Sequence, residues 1–124
     1  MSEATEYNKQ RVREVIERIV NGGDIALTDL YYREDYVQHN PLVGPGRDGL
    51  KALLRAIHAS GHPRQARIVL MNAEKDMVWA LLDWSGGDVA PGAQTLLRST
   101  EIFRVEDGMM AEHWDCMQIG PEPG

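Results

Sequence analysis

Apolar side chains recur at helical spacing near the start of the chain, where Val12, Val15, Ile16, Ile19 and Val20 follow i, i+3, i+4, i+7 and i+8. The pattern predicts an amphipathic helix, stopped by Asn21-Gly22-Gly23. Asp24 is placed to cap a short second helix through Ile25, Leu27 and Leu30. Tyr36-Val37-Gln38-His39-Asn40 reads as a short extended segment ended by Pro41, and the loop from Leu42 to Arg47 leads to Asp48, a candidate N-cap. A third helix follows, with Leu50, Leu53, Leu54 and Ile57 on its apolar face and Gly61-His62-Pro63 at its end. Beyond it the period changes to two. Gln65–Asn72, Met77–Trp84, Ala93–Val105 and Met109–Ile119 are predicted strands, separated by turn-rich segments. Helices first and hairpin-linked strands afterwards predict an α+β fold, helices packed on a strongly curved antiparallel sheet, in one domain spanning 1–124.

The last two strands flank Glu106-Asp107-Gly108, and an Asp-Gly pair supplies the positive φ that a tight hairpin needs. Alternation after the turn puts Met109, Ala111, His113, Asp115 and Met117 on one face and Met110, Glu112, Trp114, Cys116 and Gln118 on the other. The first set is mostly apolar yet carries an imidazole and a carboxylate two residues apart. Burying an Asp on such a face costs stability unless something compensates, so this face is the first place to look for chemistry.

Composition narrows the partners. Net charge is −6, with Lys and Arg scattered, so nothing favours nucleic acid or an anionic membrane. The first ten residues are polar, predicting no signal peptide, and no apolar run nears the ~20 residues of a membrane span. The single cysteine, Cys116, excludes an internal disulfide and fits a reducing compartment, so a cytoplasmic location is expected.

Several motifs have plain structural readings. Gly44-Pro45-Gly46-Arg47-Asp48-Gly49 matches G-x-G-x-x-G, but no buried parallel strand precedes it and no βαβ unit follows, so it reads as a loop with a helix cap. His58 and His62 are four apart, but Gly61 and Pro63 break the helix between them and no acid completes a metal set. His113 and Asp115 would need a third ligand from elsewhere; no metal is expected. There is no G-x-S-x-G, and Cys116 falls on the face opposite His113, where it reads as a small buried hydrophobe. Gln38-His39-Asn40-Pro41 is denser in polar groups than a structural strand requires. Trp79, Leu81 and Asp83 share a face of their strand, and a salt bridge is the simpler reading of Asp83.

Tyr36–Pro41, the G-x-x-G-L ending at Leu50, and Glu101–Gln118 together resemble the SnoaL-like branch of the nuclear transport factor 2-like superfamily. The resemblance implies a cone-shaped α+β barrel around a pocket, commonly a homodimer, in a superfamily of polyketide cyclases, ketosteroid isomerase, limonene epoxide hydrolase, scytalone dehydratase and many non-catalytic binders. Asn40 matches the place of the ketosteroid isomerase base, Glu101 matches its oxyanion-hole acid, and Ile16 stands where its oxyanion tyrosine lies, so steroid-type isomerisation is not expected. Asp115 matches the last-strand Asp of the epoxide hydrolases, but their Arg between two acids is missing. The histidines that SnoaL-like relatives often carry are replaced by Leu81 and Asp83. Their late acid falls on Asp115 or Gln118.

The resulting expectation is a small-molecule enzyme, free of metal and organic cofactor, that moves a proton beside a carbonyl of a small hydrophobic substrate to cyclise, isomerise or eliminate. Asp115 is the expected base, with His113 and His39 orienting it or donating to the enolate. Asn40, Glu101, Trp79, Asp83 and Met117 are the expected substrate contacts, and Trp114, Cys116 and Met110 the expected homodimer face. The alternatives are a non-catalytic ligand-binding or dimerisation domain of the same fold, or an epoxide hydrolase. A catalyst should hold two or more titratable groups within hydrogen-bond reach inside its cavity, and a simple binder should not.

Overall fold

The computed structural model describes residues 2–59, 61–86 and 95–121. The chain opens with α1 (Glu3–Glu14), capped by the Ser2 hydroxyl, and widens into a π-type turn over Val15–Asn21. Val12, Val15, Ile16 and Ile19 are buried, so the predicted apolar stripe is the one that packs. A 3-10 turn (Ile25–Leu27) and α2 (Thr28–Tyr31) follow; Asp24 precedes them without a side-chain cap. β1 (Tyr32–Gln38) then enters the sheet, starting four residues earlier than the sequence pattern suggests. α3 (Gly46–Ala59) begins at Gly46, which puts Asp48 in its first turn rather than at its cap. A Cβ at Gly49 would lie 1.9 Å from the Gly44 carbonyl oxygen, so close packing of this loop on α3 explains the glycines.

The other strands are β2 (Arg64–Glu74), β3 (Met77–Gly86), β4 (Thr95–Glu106) and β5 (Met109–Pro121), in the sheet order β1-β5-β4-β3-β2. Residues 93–94 of the third predicted strand lie outside the described residues. β2 to β5 are antiparallel, but β1 runs parallel to β5, pairing Gln38 with His113, so the sheet is mixed rather than wholly antiparallel. A parallel pair needs a long connection, and the chain between β1 and β5 is long enough to supply it. Asp107 and Gly108 have φ of 51° and 75°, the two positive values of a type I′ hairpin turn. Gly108 is doubly constrained, because a Cβ there would come 2.5 Å from the Tyr7 hydroxyl.

The register of this hairpin shifts near its turn, with Val105 opposite Met110 and Arg104 opposite Glu112, so Ala111 is the extra residue of a β-bulge. The bulge corrects one expectation. Met110 is not on the outer face with Trp114 and Cys116; it is 0% exposed, in the core with Val105 and Phe103. Simple alternation counts across the bulge and assigns Met110 to the wrong side. Met110→Ala should therefore cost about 2–5 kcal/mol, read from urea unfolding. A loss below about 0.5 kcal/mol, as at an ordinary surface site, would contradict this placement.

Candidate active site

The concave face of the sheet and the helices enclose a cavity of about 500 Å³. Much of its wall is apolar, including Ile16, Leu50, Leu54, Trp84, Leu97 and Phe103. Polar groups gather where β1, β4 and β5 meet: Tyr32, Tyr36, Gln38, Asn40, Glu101, His113 and Asp115 all line it. Alternation past the bulge aims His113, Asp115 and Met117 inward from β5. Glu101 sits directly opposite Asp115 in the β4–β5 register. Two carboxylates at opposed positions repel, so the site needs a proton or a cation between them.

His113 meets that need. Its Nε2 lies 2.8 Å from Glu101 Oε1, and its Nδ1 lies 2.9 Å from Gln38 Oε1. The Gln38 oxygen also accepts the Asn40 backbone N–H at 3.4 Å, and a carbonyl oxygen only accepts, so Nδ1 carries a hydrogen. A second proton must then lie between Nε2 and Glu101, shared by the pair. Both side chains are about nine-tenths buried, and the Phe103 ring tilts against the imidazole at 4.6 Å. Asp115 is held separately: the Asn40 side-chain amide donates to its two oxygens at 2.9 and 3.2 Å. One ligand atom from each of Glu101, His113 and Asp115 falls within 4.8 Å of the others, a spacing that a metal ion could bridge. Here, however, both ring nitrogens and the Asp115 carboxylate already bond to protein groups.

Tyr36 is buried in the same wall, and its hydroxyl has no hydrogen-bond partner among the described residues. Its ring meets Tyr32 edge to face at 4.8 Å. Burial raises the Tyr36 phenol well above the ordinary value of 10.0, helped by Tyr32, Asp115 and Glu101 nearby; burial, then Glu101, raises Tyr32 as well. Both phenols therefore stay protonated as donors. Trp84, aligned by its indole N–H to Ser99 Oγ at 2.8 Å, completes this wall. The sequence reading missed Tyr32, Tyr36, Gln38 and Trp84. Counting back by twos from Asn40 reaches Gln38 and Tyr36, and by twos along Val78, Ala80 and Leu82 reaches Trp84.

Three expected site residues face the other way. His39 is one residue out of phase with Gln38 and Asn40, so it stacks on Trp114 at 4.7 Å and meets Glu112 at 2.6 Å on the outer face. His39, then Arg104, holds the Glu112 carboxyl below its usual range. Trp79 alternates with the buried Val78 and Ala80 and so leaves the cavity wall. Asp83 is bound by Arg98 at 2.6 and 3.0 Å and Arg67 at 3.2 Å, and the Arg98 bond chiefly lowers its pKa. It is a salt-bridge residue. His58 Nε2 donates to the Val20 carbonyl oxygen at 2.8 Å, and His62 lines the cavity instead.

A family model described as a SnoaL-like domain matches residues 12–113. Among solved structures, TsrD from Streptomyces laurentii is 26% identical with a TM-score of 0.76, covering 95% of this chain and 91% of its own. An M. tuberculosis LEH-like epoxide hydrolase is 16% identical with a TM-score of 0.75, covering 93% and 85%. IdmH, a candidate polyketide cyclase from Streptomyces antibioticus, is 19% identical with a TM-score of 0.74, covering 90% and 91%. Among curated proteins none matches the sequence.

The tyrosines make the site testable without a substrate. A phenol whose folded value is raised keeps its stabilising contribution below about pH 10 and loses it above, because the unfolded chain ionises first. Between pH 9 and 11 the melting temperature should fall less steeply in Tyr36→Phe than in the wild type. Parallel slopes in circular-dichroism melts would contradict a buried, neutral Tyr36.

Proposed function

The chain belongs to the SnoaL-like domain family, and on that footing we propose that it is a small-molecule enzyme that moves a proton beside a carbonyl group. One observation carries the reading: a carboxylate held by Asn40, Asp115, and a proton-holding pair, His113–Glu101, lie within 4.8 Å of one another in the wall of a largely apolar cavity. Asp115 is the base that takes the proton from the carbon next to the carbonyl, with Asn40 fixing its orientation. As the enolate forms, the carbonyl oxygen gains charge, and the Tyr36 O–H and the shared His113–Glu101 proton are the donors within the wall to meet it. The enolate carbon then attacks a second carbonyl, is reprotonated at another position, or expels a leaving group. Cyclisation, isomerisation and elimination thus share this first step. Epoxide hydrolysis is the weaker reading, because Arg98 and Arg104 are engaged by Asp83 and Glu112 rather than set between Glu101 and Asp115.

Asp115→Asn keeps the shape and removes the proton acceptor. With 2-tetralone as an apolar probe ketone, deuterium uptake at its α-carbon in D₂O, followed by proton NMR, should be catalysed by the wild type. The variant should be slower by ~10²–10⁴ with an unchanged fold. Equal rates in the two proteins would move the reading to a non-catalytic binding domain.

We further propose a cytoplasmic homodimer joined through the outer sheet face. Trp79, Leu81, Ile102 and Trp114 lie there half-buried, and Cys116, expected as a buried hydrophobe, is exposed beside them, an apolar area that soluble monomers rarely leave open. An isologous two-fold contact would cover it. Light scattering should give twice the 13.9 kDa chain mass, and Ile102→Arg should return that mass to the monomer's. A wild-type particle of 13.9 kDa at micromolar concentration would exclude the dimer.

A further inference from the structure

Arg64 also lines the cavity, far from the carboxylates. It pairs with Gly86 on β3, while Glu101 pairs with Ala80, so six residues of β3, roughly 20 Å of extended strand, separate the two rows. β2 and β1 are opposite edges of the sheet, so Arg64 and the Gln38–Asn40 corner stand diagonally across it. Alternation puts Arg64 on the same face as the buried Ala66, and Ala66 pairs with the cavity residue Trp84.

Its guanidinium makes no ion pair with any described residue. Among the described residues the other half-buried arginines all have partners: Arg33, Arg47, Arg98 and Arg104 pair with acids, and Arg11 donates to the Gly108 and Leu30 carbonyls. Half-buried in the wall that Leu97, Trp84 and Pro63 also line, Arg64 has lost part of its hydration without gaining a counter-ion among the described residues. The opposite end of the cavity holds Glu101 and Asp115, which repel anions.

We propose that Arg64 is the anion subsite of this cavity, and that the substrate is an elongated apolar carbonyl compound with a carboxylate or similar anionic group at its far end. The carbonyl-end assignment rests on the acid–base reading above; the anion subsite does not. Charge sets the direction of binding: the anion goes to Arg64, the apolar body crosses the Leu97–Trp84 wall, and the carbonyl reaches Tyr36 and Asp115. The planar fork of an arginine suits a carboxylate in two-bond geometry.

Two fluorescent probes of nearly equal shape test this, the anionic 1-anilinonaphthalene-8-sulfonate and the uncharged N-phenyl-1-naphthylamine. Wild type should bind both, and Arg64→Gln should weaken the anionic probe at least tenfold while leaving the neutral one within about twofold. Arg64→Lys should restore part of the loss, and circular dichroism should show both variants folded. Unchanged affinity for the sulfonate, an equal loss for both probes, or no binding of either by the wild type would overturn the proposal. Asp115→Asn separates the two readings. If it leaves ketone exchange intact while the Arg64 effect persists, the acid–base reading falls and the anion subsite stands.

Discussion

Two carboxylates face each other across β4 and β5 inside a largely apolar cavity, and the proton shared by His113 and Glu101 makes that arrangement tolerable. Much of the surrounding structure serves this constraint. The type I′ turn and the bulge at Ala111 set the phase that turns His113 and Asp115 inward. The parallel docking of β1 brings Gln38 level with His113, so the amide oxygen can accept from Nδ1 and leave Nε2 for Glu101. Asn40, two residues on, reaches Asp115 and keeps it apart from the pair.

Polar groups on the two faces of the sheet are treated differently. Outside, Arg104 joins Glu112 and Glu106, His39 joins Glu112, and Asp83 joins Arg98 and Arg67. Such exposed pairs add little stability each, but they leave few charges unanswered. Inside, among the described residues, the Tyr36 hydroxyl has no hydrogen-bond partner and Arg64 no counter-ion. Leaving a buried hydroxyl unbonded costs about 1–3 kcal/mol, so a fold selected for stability alone would have phenylalanine at position 36. The unfilled bonding capacity lies where a ligand would be held.

Family membership does not choose among chemistries, because the same scaffold carries several and the choice lies in the side chains of the pocket. This chain pairs an independently held acid with a histidine–glutamate couple, and it draws its tyrosines from β1 rather than from the first helix, where Ile16 stands. Opposed polar ends give the cavity a direction, which a uniformly apolar pocket of the same volume would lack.

The sequence by itself determined the helix-then-strand order, the apolar stripe of the first helix, the hairpin at Asp107-Gly108 and the inward face of Ala111, His113, Asp115 and Met117. These follow from local physics: a 3.6-residue period, a two-residue period and a turn that demands positive φ. Glu101 was legible only through family resemblance, because polarity alone does not distinguish a buried acid from an exposed one, whereas Asn40 also stood out through the polar density of Gln38–Pro41. Tertiary structure decided the rest. A one-residue bulge sent Met110 into the core, and the phase of β1 put Gln38 inside and His39 outside, because alternation leaves the absolute face of a strand to its partners. Whether Asp83 or Asp115 meets the cavity, and whether Arg64 finds a counter-ion, depends on which strands become neighbours, and no local window of sequence contains that information.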